Sequence, residues 1–280
     1  MISSRLFRTP SANNRKMGAG YIEVVKMKSI YHVHTERCGH AKGSDREIIE
    51  ACIAVGADSV YITDHAPFPK NPFENRMKYR ELPEYINSFS RLKAEYKKDI
   101  EIHLGLEIEY FSQFDDYYKK LSNDSGLDVG LFLGQHIYYS EKDKAYSFDL
   151  ESSELKAEEY RECGKAIIDA IRTGCFTRIA HPDRIFRRSK GWSDDYGNVA
   201  ERIIDEAAKY HIPLEVNIES LERKLLRPQF WELACKRDMP IYVGLDAHSV
   251  STILKYDELI DQLKSWADRK CPALLNRLDI

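Results

Sequence analysis

The sequence predicts an α/β fold, specifically a distorted (β/α)7 barrel of the TIM type with a metal site at the carboxyl ends of its strands. Short β-branched and aromatic runs alternate along the chain with longer segments of helical periodicity. Seven strand-then-helix units are present, and right-handed helical crossovers return each strand to the same parallel sheet. The motifs GxGxxG and GxxxxGK[ST], which would favour an open nucleotide-binding sheet, are absent.

The elements follow in order from these patterns. Strands are expected near residues 28–33, 58–63, 100–107, 128–133, 177–180, 213–217 and 240–244. Helices are expected near residues 44–55, 82–98, 115–122, 152–173, 195–210, 228–237 and 252–268. Ser44 and Asp45 before Glu47 form a helix start, and Pro83 marks the first turn of the next helix.

Composition bounds the organisation of the chain. With 280 residues, 43% hydrophobic and 31% charged, the chain can bury one large core, so we expect a single domain over residues 27–280. Residues 1–26 are rich in Ser, Arg and Asn with little periodic apolar content, which predicts a disordered extension.

Charge, hydropathy and cysteine usage narrow the function classes. A net charge of -3 provides no broad cationic surface for nucleic acid, so a small anionic substrate fits better. No apolar run approaches the roughly 20 residues of a membrane helix, and no secretory signal is recognisable, so we expect a cytoplasmic protein without a membrane partner. The six cysteines form no CxxC pair and are expected to be reduced and buried.

Several strand-like runs end in side chains that bind metals. Because the carboxyl ends of parallel barrel strands converge on one face, such residues can meet at one site. His32 and His34 share a two-residue spacing, as do Asp246 and His248, and alternate residues of a strand project to the same side. The nine candidate ligands are His32, His34, His40, His65, Glu107, His136, His181, Asp246 and His248.

Nine candidate ligands are more than a single ion can coordinate, so the sequence indicates several ions. The two carboxylate oxygens of Glu107 are suited to bridging two of them. Metals roughly 3.5–4 Å apart are a standard arrangement for displacement at phosphorus. His103, inside the third strand, and His211, at a helix end, are expected to be structural. Cys38 lies two residues before His40, and it has either a plain loop role or a metal contact.

The ordered motifs resemble the polymerase and histidinol phosphatase (PHP) family. The matching stretches cover nearly all of residues 28–250, and the segments around Arg76, Leu82 and Glu107 further resemble the histidinol-phosphatase branch. The resemblance implies three divalent ions, zinc, iron or manganese. It assigns His32, His34, Glu107 and Asp246 to the first; Glu107, His136 and His181 to the second; and His40, His65 and His248 to the third.

The resemblance implies hydrolysis of a phosphomonoester, most specifically L-histidinol phosphate, by a metal-bridged hydroxide, with Glu107, Asp246 and Arg184 as catalytic residues. Arg184, Arg187 and Arg188 are candidates to clamp the phosphate, although a solvated basic loop is an alternative for each. Carboxylates considered for the cationic end of the substrate are Glu36, Glu74, Glu109 and Asp183. Asp64 and Asp183 are also expected to accept hydrogen bonds from ligand imidazoles.

Other functions remain open from the sequence. A PHP phosphoesterase acting on another small phosphorylated metabolite or nucleotide is one alternative. A nuclease or polymerase-associated module would need a cationic groove with stacking aromatic residues, which the net charge disfavours. A metal-stabilised scaffold that binds a partner is a third alternative.

Residues 66–80 are expected to form a long loop that covers the site. The sequence does not specify the identity of the metal or the oligomeric state.

Overall fold

The barrel predicted from the sequence is confirmed. The computed structural model describes residues 27–70, 73–150, 153–278 and 280, so the predicted disordered extension, residues 1–26, lies outside the described residues. The strands are β1 (Ser29–Val33), β2 (Ser59–Ile62), β3 (Glu101–Ile108), β4 (Gly130–Leu133), β5 (Tyr139–Ser140), β6 (Ala145–Tyr146), β7 (Phe176–Ile179), β8 (Leu214–Asn217) and β9 (Ile241–Ala247). Parallel strands close a barrel in the order β1-β2-β3-β4-β7-β8-β9, and β5 pairs with β6 in a separate antiparallel hairpin.

Helices follow the barrel strands and pack outside them. They are α1 (Asp45–Ala54), α2 (Leu82–Glu95), α3 (Asp115–Ser122), α4 (Ser153–Ala157), α5 (Glu159–Thr173), α6 (Asp194–Lys209), α7 (Ile218–Glu222), α8 (Pro228–Ala234), α9 (Val250–Ile253), α10 (Tyr256–Lys270) and α11 (Pro272–Leu275). Short 3-10 helices occupy Glu36–Cys38, Tyr79–Glu81, Ser112–Phe114 and Pro182–Phe186.

The predicted helix start at Ser44 is present in the structure, whereas two of the expected helices are each split into two shorter helices. Ser44 caps α1, with its side chain accepting from the Glu47 amide and the Glu47 carboxylate accepting in return. The expected helix 252–268 is wrong as one element, since the short α9, rich in β-branched residues that are weak helix formers, ends at Ile253 and α10 begins at Tyr256. The expected helix 152–173 is likewise interrupted at Glu158. The hairpin, α7 and α11 were not expected.

The main hydrophobic core lies between the barrel and its helices. One continuous cluster of buried residues joins strand residues such as Ile30 and Leu106 to helix residues such as Phe89 and Ile203. This continuity supports our proposal that residues 27–280 form one domain. No helix among the described residues is long and apolar enough to span a membrane. All six cysteines carry free thiols, and Cys235 is the one that is only partly buried.

A second, smaller cluster fills the barrel interior toward its amino-terminal end. The rings of Tyr31, Tyr61, Phe132 and Tyr242 come from four different barrel strands and contact one another, with Tyr31 and Tyr61 centroids 4.1 Å apart. The guanidinium of Arg178 on β7 lies 4.8 Å from the Tyr242 centroid and 4.9 Å from that of Tyr31. We call these five residues the aromatic cluster.

The loop expected to cover the site is packed against the barrel along much of its length. Phe68, Phe73 and Met77 are buried in the main core. Arg76 makes a two-pronged ion pair with Glu109 just beyond β3, at 3.1 Å for each contact, which ties this loop to the barrel. Asn71 and Pro72 lie outside the described residues.

Candidate metal centre

Four of the predicted ligands converge at the carboxyl end of the barrel from three strands. His32 and His34 come from β1 and the segment after it, Glu107 from β3, and Asp246 from β9. Nε2 of His32 lies 3.2 Å from Oε2 of Glu107 and 3.5 Å from Oδ1 of Asp246. The corresponding distances from Nε2 of His34 are 3.4 and 3.2 Å. Their ligand atoms therefore surround one small volume.

The backbone at this end departs from regular strand geometry. His32, His181 and Asp246 have positive φ values of 63°, 32° and 54°, and the register of β1 shifts between Tyr31 and Val33. The expectation that His32 and His34 lie on a regular extended segment is therefore wrong. The bulge instead brings their ring centroids to 5.0 Å, and strained backbone of this kind concentrates at functional sites.

Glu107 is shared among several imidazoles. Its Oε1 lies 2.7 Å from Nε2 of His181, and its Oε2 lies 3.0 Å from Nδ1 of His65. Gly134 makes room for this carboxylate, since a Cβ there would lie 2.0 Å from Oε1 of Glu107. Burial raises the pKa of Glu107, but the neighbouring His32 and His65 hold that pKa well below the ordinary carboxyl range. An ionised, acceptor-only carboxylate thus lies among these rings.

A second group of imidazoles lies beside the first. The ligand atoms of His34, His65 and His248 lie within 4.8 Å of one another, as do those of Cys38, His40 and His248. The rings of His40 and His248 are 4.5 Å apart by centroid, and those of His40 and His65 are 5.3 Å apart. The structure therefore brings together the three residues that the resemblance assigns to the third ion.

His136 lies at the edge of the centre rather than within these compact groups. Its Nε2 is 3.6 Å from Oε1 of Glu109, and its side chain is 34% exposed, whereas His181 is buried against Glu107. The set assigned to the second ion, Glu107, His136 and His181, is therefore less closely assembled than the first.

Contacts to backbone oxygens orient several rings through Nδ1, which leaves Nε2 as the nitrogen available to a metal. Nδ1 of His136, His248 and His40 lies 2.9, 2.9 and 3.2 Å from the backbone oxygens of Gly134, Asp246 and Cys38, respectively. Burial lowers the pKa of His136 to about 4 and that of His248 to about 4. Both rings are neutral near pH 7, the state that a metal ligand requires.

Cys38 is buried, and Sγ accepts a hydrogen bond from the Ala41 amide at 3.3 Å. Burial raises the pKa of this thiol to about 12, with Asp64 adding to the effect. Cys38 is thus a neutral thiol that supports the loop, and its sulfur lies close to His40 and His248.

The three candidate arginines occupy different environments. Nη2 of Arg184 donates to Oδ2 of Asp246 at 2.9 Å and to Oδ1 of Asn217 at 2.7 Å, so Arg184 lies at the centre. Arg187 and Arg188 both bind the carboxylate of Glu159, at 2.7 and 2.9 Å. The basic loop is therefore not simply solvated.

Two carboxylates expected to orient imidazoles have other partners. Asp64 accepts from the amide and hydroxyl of Thr35 at 2.7 and 2.9 Å. Asp183 accepts from the Arg227 amide and from Nε1 of Trp231 at 2.8 and 3.1 Å. Both bonds go to Oδ2 of Asp183, whose side chain is fully buried, while its Oδ1 has no hydrogen-bond partner among the described residues.

The carboxylate that does hold a ligand imidazole is Glu215, which the sequence analysis missed. Both of its oxygens approach Nδ1 of His32, at 2.9 and 2.8 Å. The available signal was a lone acid inside an apolar strand, since a buried charge needs a partner. Neither His103 nor His211 belongs to the centre, and His103 instead contacts Asp128 at the opposite end of the barrel.

The donor set fits divalent metal ions. Buried atoms without a hydrogen-bond partner include Nε2 of His32, His34 and His248 and Oε2 of Glu107. Leaving such atoms unpaired is costly, and imidazoles mixed with carboxylates are the ligands that zinc, iron and manganese accept.

The chain is similar to known proteins in sequence and in fold. A profile of the PHP domain matches residues 31–219. A probable histidinol-phosphatase of Deinococcus radiodurans is 26% identical over 252 residues, covering 85% of this chain and 93% of that protein. A histidinol-phosphatase of Bacillus subtilis is 34% identical over 92 residues, covering 30% of this chain and 34% of that protein. The crystal structure of histidinol phosphate phosphatase from Lactococcus lactis, complexed with zinc, L-histidinol and phosphate, has a TM-score of 0.64 at 22% identity and covers 84% of this chain and 93% of that one.

Proposed function

Because the chain belongs to the family of PHP-domain proteins, we propose that it is a metal-dependent phosphomonoesterase that hydrolyses L-histidinol phosphate to L-histidinol and phosphate, a step in histidine biosynthesis. The observation that carries this proposal is the convergence of His32, His34, Glu107 and Asp246 around one buried volume. The histidinol-phosphatase of Deinococcus radiodurans, matched over most of both chains, supports the choice of substrate.

The proposal includes three divalent ions held by the sets that the family resemblance assigns. Zinc is the first choice, with iron and manganese as alternatives, because imidazole-rich sites with carboxylates accept all three. Glu107 supports a multinuclear arrangement, since its two oxygens face His181 on one side and His65 on the other. His136 completes the second set from the more exposed edge of the centre.

Bound ions would lower the pKa of a coordinated water and stabilise charge on the phosphate oxygens. Around them, Arg184 and Asn217 hold Asp246 in place through hydrogen bonds at 2.9 and 3.2 Å. We assign Arg184 a second task, donating N–H groups to the substrate phosphate, because its guanidinium lies directly beside the ligand carboxylate. Arg187, near His136, and the more exposed Arg188 are proposed as further phosphate contacts.

We place this activity in the cytoplasm, where the free thiols of all six cysteines stay reduced. The proposed partner is a small phosphorylated metabolite rather than nucleic acid or a membrane, in line with the net charge of -3.

The test is phosphate release by protein stripped with a chelator and reloaded with zinc, manganese or iron. We expect no turnover of L-histidinol phosphate without metal and full turnover with at least one of the three. A panel of other phosphomonoesters and phosphodiesters run in parallel measures specificity. If none of these compounds is hydrolysed with any metal, the proposal that the protein is an enzyme is contradicted. A clear preference for another ester would show that this ester, rather than L-histidinol phosphate, is the substrate.

A further inference from the structure

A buried acid lies directly beneath the cluster formed by His32, His34, Glu107 and Asp246. Glu215 is on β8, and its side chain is fully buried. Its two oxygens lie 2.9 and 2.8 Å from Nδ1 of His32. It lies on the side of the ring opposite Nε2, which faces Glu107 and Asp246.

The other neighbours of Glu215 are donors as well. Nδ2 of Asn217 donates to Oε1 at 2.6 Å, and the hydroxyl of Tyr242 donates to Oε2 at 2.9 Å. Both oxygens of Glu215 thus accept from other donors, and Nδ1 of His32 is a further donor within reach of them. Its Nε2 is then the ring nitrogen that faces Glu107 and Asp246.

This arrangement differs from that of the other oriented rings. Nδ1 of His40, His136 and His248 faces a backbone oxygen, which is a neutral dipole. A charged acceptor fixes the tautomer more strongly and raises the basicity of the metal-binding nitrogen.

Glu215 is also linked to the ligand from β9. Nδ2 of Asn217 contacts Oε1 of Glu215 and, at 3.2 Å, Oδ2 of Asp246. The backbone leaves space for the acid, because a Cβ at Gly244 would lie 2.2 Å from Cδ of Glu215. Two ligands from opposite ends of the chain are thus held by one buried polar network.

We propose that Glu215 is a positioning residue that holds His32 in its metal-binding tautomer and sets the affinity of the ion at His32, His34, Glu107 and Asp246. The inference rests on the proposed function in taking His32 as a metal ligand, and it is independent of the substrate. The role is one of geometry and tautomer, since Glu215 lies behind the ring and does not face the ligand volume.

The experiment measures zinc affinity by competition with a chromophoric chelator, together with the number of zinc ions retained per chain. The variants are Glu215→Gln, which replaces the charged acceptor with an amide of the same shape, and Glu215→Asp, which keeps the charge but shortens its reach. Asp128→Asn is the matched control, because Asp128 also contacts Nδ1 of a histidine, His103, at 3.1 Å, at the opposite end of the barrel.

We expect Glu215→Gln to weaken one zinc site by roughly 10–100-fold, Glu215→Asp to weaken it less, and Asp128→Asn to bind zinc as the wild type does. Thermal unfolding of the metal-free proteins, followed by circular dichroism, separates this effect from a merely structural one, because a structural role would lower stability without changing one affinity. In the zinc-loaded wild type, imidazole nitrogen NMR should show the single ring proton of His32 on Nδ1, facing Glu215.

Wild-type affinity at every site in a folded Glu215→Gln or Glu215→Asp protein would overturn the inference and leave the metal centre intact. A wild-type protein that binds no zinc, manganese or iron would overturn the proposed function instead, and this inference with it.

Discussion

The two ends of the barrel interior use similar residue types for opposite purposes. At the amino-terminal end, His103 contacts Asp128 and stacks on Tyr61, with a centroid distance of 4.4 Å. At the carboxyl end, His32 is held by Glu215 on one nitrogen, while its other nitrogen is buried without a hydrogen-bond partner. A histidine beside a carboxylate therefore does not itself indicate a metal site. The buried, unpaired nitrogen opposite the carboxylate does so.

The largest expected effect comes from removing a ligand at the carboxyl end. His32→Ala and Asp246→Ala should each reduce turnover far beyond the roughly 100-fold typical of residues that support ligands. Helical circular dichroism should stay close to that of the wild type, because neither side chain belongs to the hydrophobic core that joins the strands to the helices. A large loss of helicity would show that these ligands are needed for folding, and would contradict the separation of the stabilising core from the ligands at the carboxyl end.

The second largest effect is expected from filling the space beside the carboxylate of Glu107. Gly134→Ala places a Cβ 2.0 Å from Oε1 of that carboxylate, so we expect it to displace Glu107 and reduce both zinc content and turnover by at least about tenfold. The control is Gly197→Ala in α6, where the nearest atom to the added Cβ is Nε1 of Trp192, at 3.7 Å. That change should leave zinc content unaltered and raise helix stability slightly. Equal zinc content in both variants would contradict the close fit.

At the amino-terminal end, Arg178→Met should affect stability alone. The guanidinium contacts the rings of Tyr31, Tyr61, Phe132 and Tyr242, and cation–π contacts of this kind contribute about 0.5–2 kcal/mol. We expect the free energy of unfolding in urea to fall by about that amount, with zinc content unchanged. A loss of metal in this variant would show that the two ends are coupled.

The smallest effect concerns Asp128. Its burial raises the pKa, but hydrogen bonds from His103 and Lys93 and from the backbone amide of Leu104 outweigh burial and lower the pKa to about 2, from an ordinary value of 3.8. Because the folded pKa is depressed, the stabilisation is present above pH 3.8 and is lost as the pH falls toward 2. Asp128→Asn should remove this pH dependence, and unfolding curves of the metal-free protein across that range measure it. The expected loss at pH 7 is below about 1 kcal/mol, since the pair is partly exposed.

Sequence patterns were sufficient for the barrel and for most of the centre. Strand ends at Glu107 and Asp246 were recognisable because parallel strands bring their carboxyl ends together. Glu215 was missed because a single acid in the run Leu214–Asn217 has no local signature, and its partner on β1 is distant in sequence. The break between α9, which ends at Ile253, and α10, which begins at Tyr256, lies within one periodic run, so periodicity alone did not separate the two helices. The bulge at His32 likewise arises from pairing with both neighbouring strands.

Closure of the barrel by the pairing of β1 with β9 has a consequence for how the protein matures. Asp246 and His248 are synthesised 214 residues after His32 and His34, respectively. A nascent chain that lacks β9 cannot form the four-residue cluster, whatever the supply of zinc. Assembly of that cluster therefore waits for the synthesis and pairing of β9, and a chain truncated before β9 lacks Asp246.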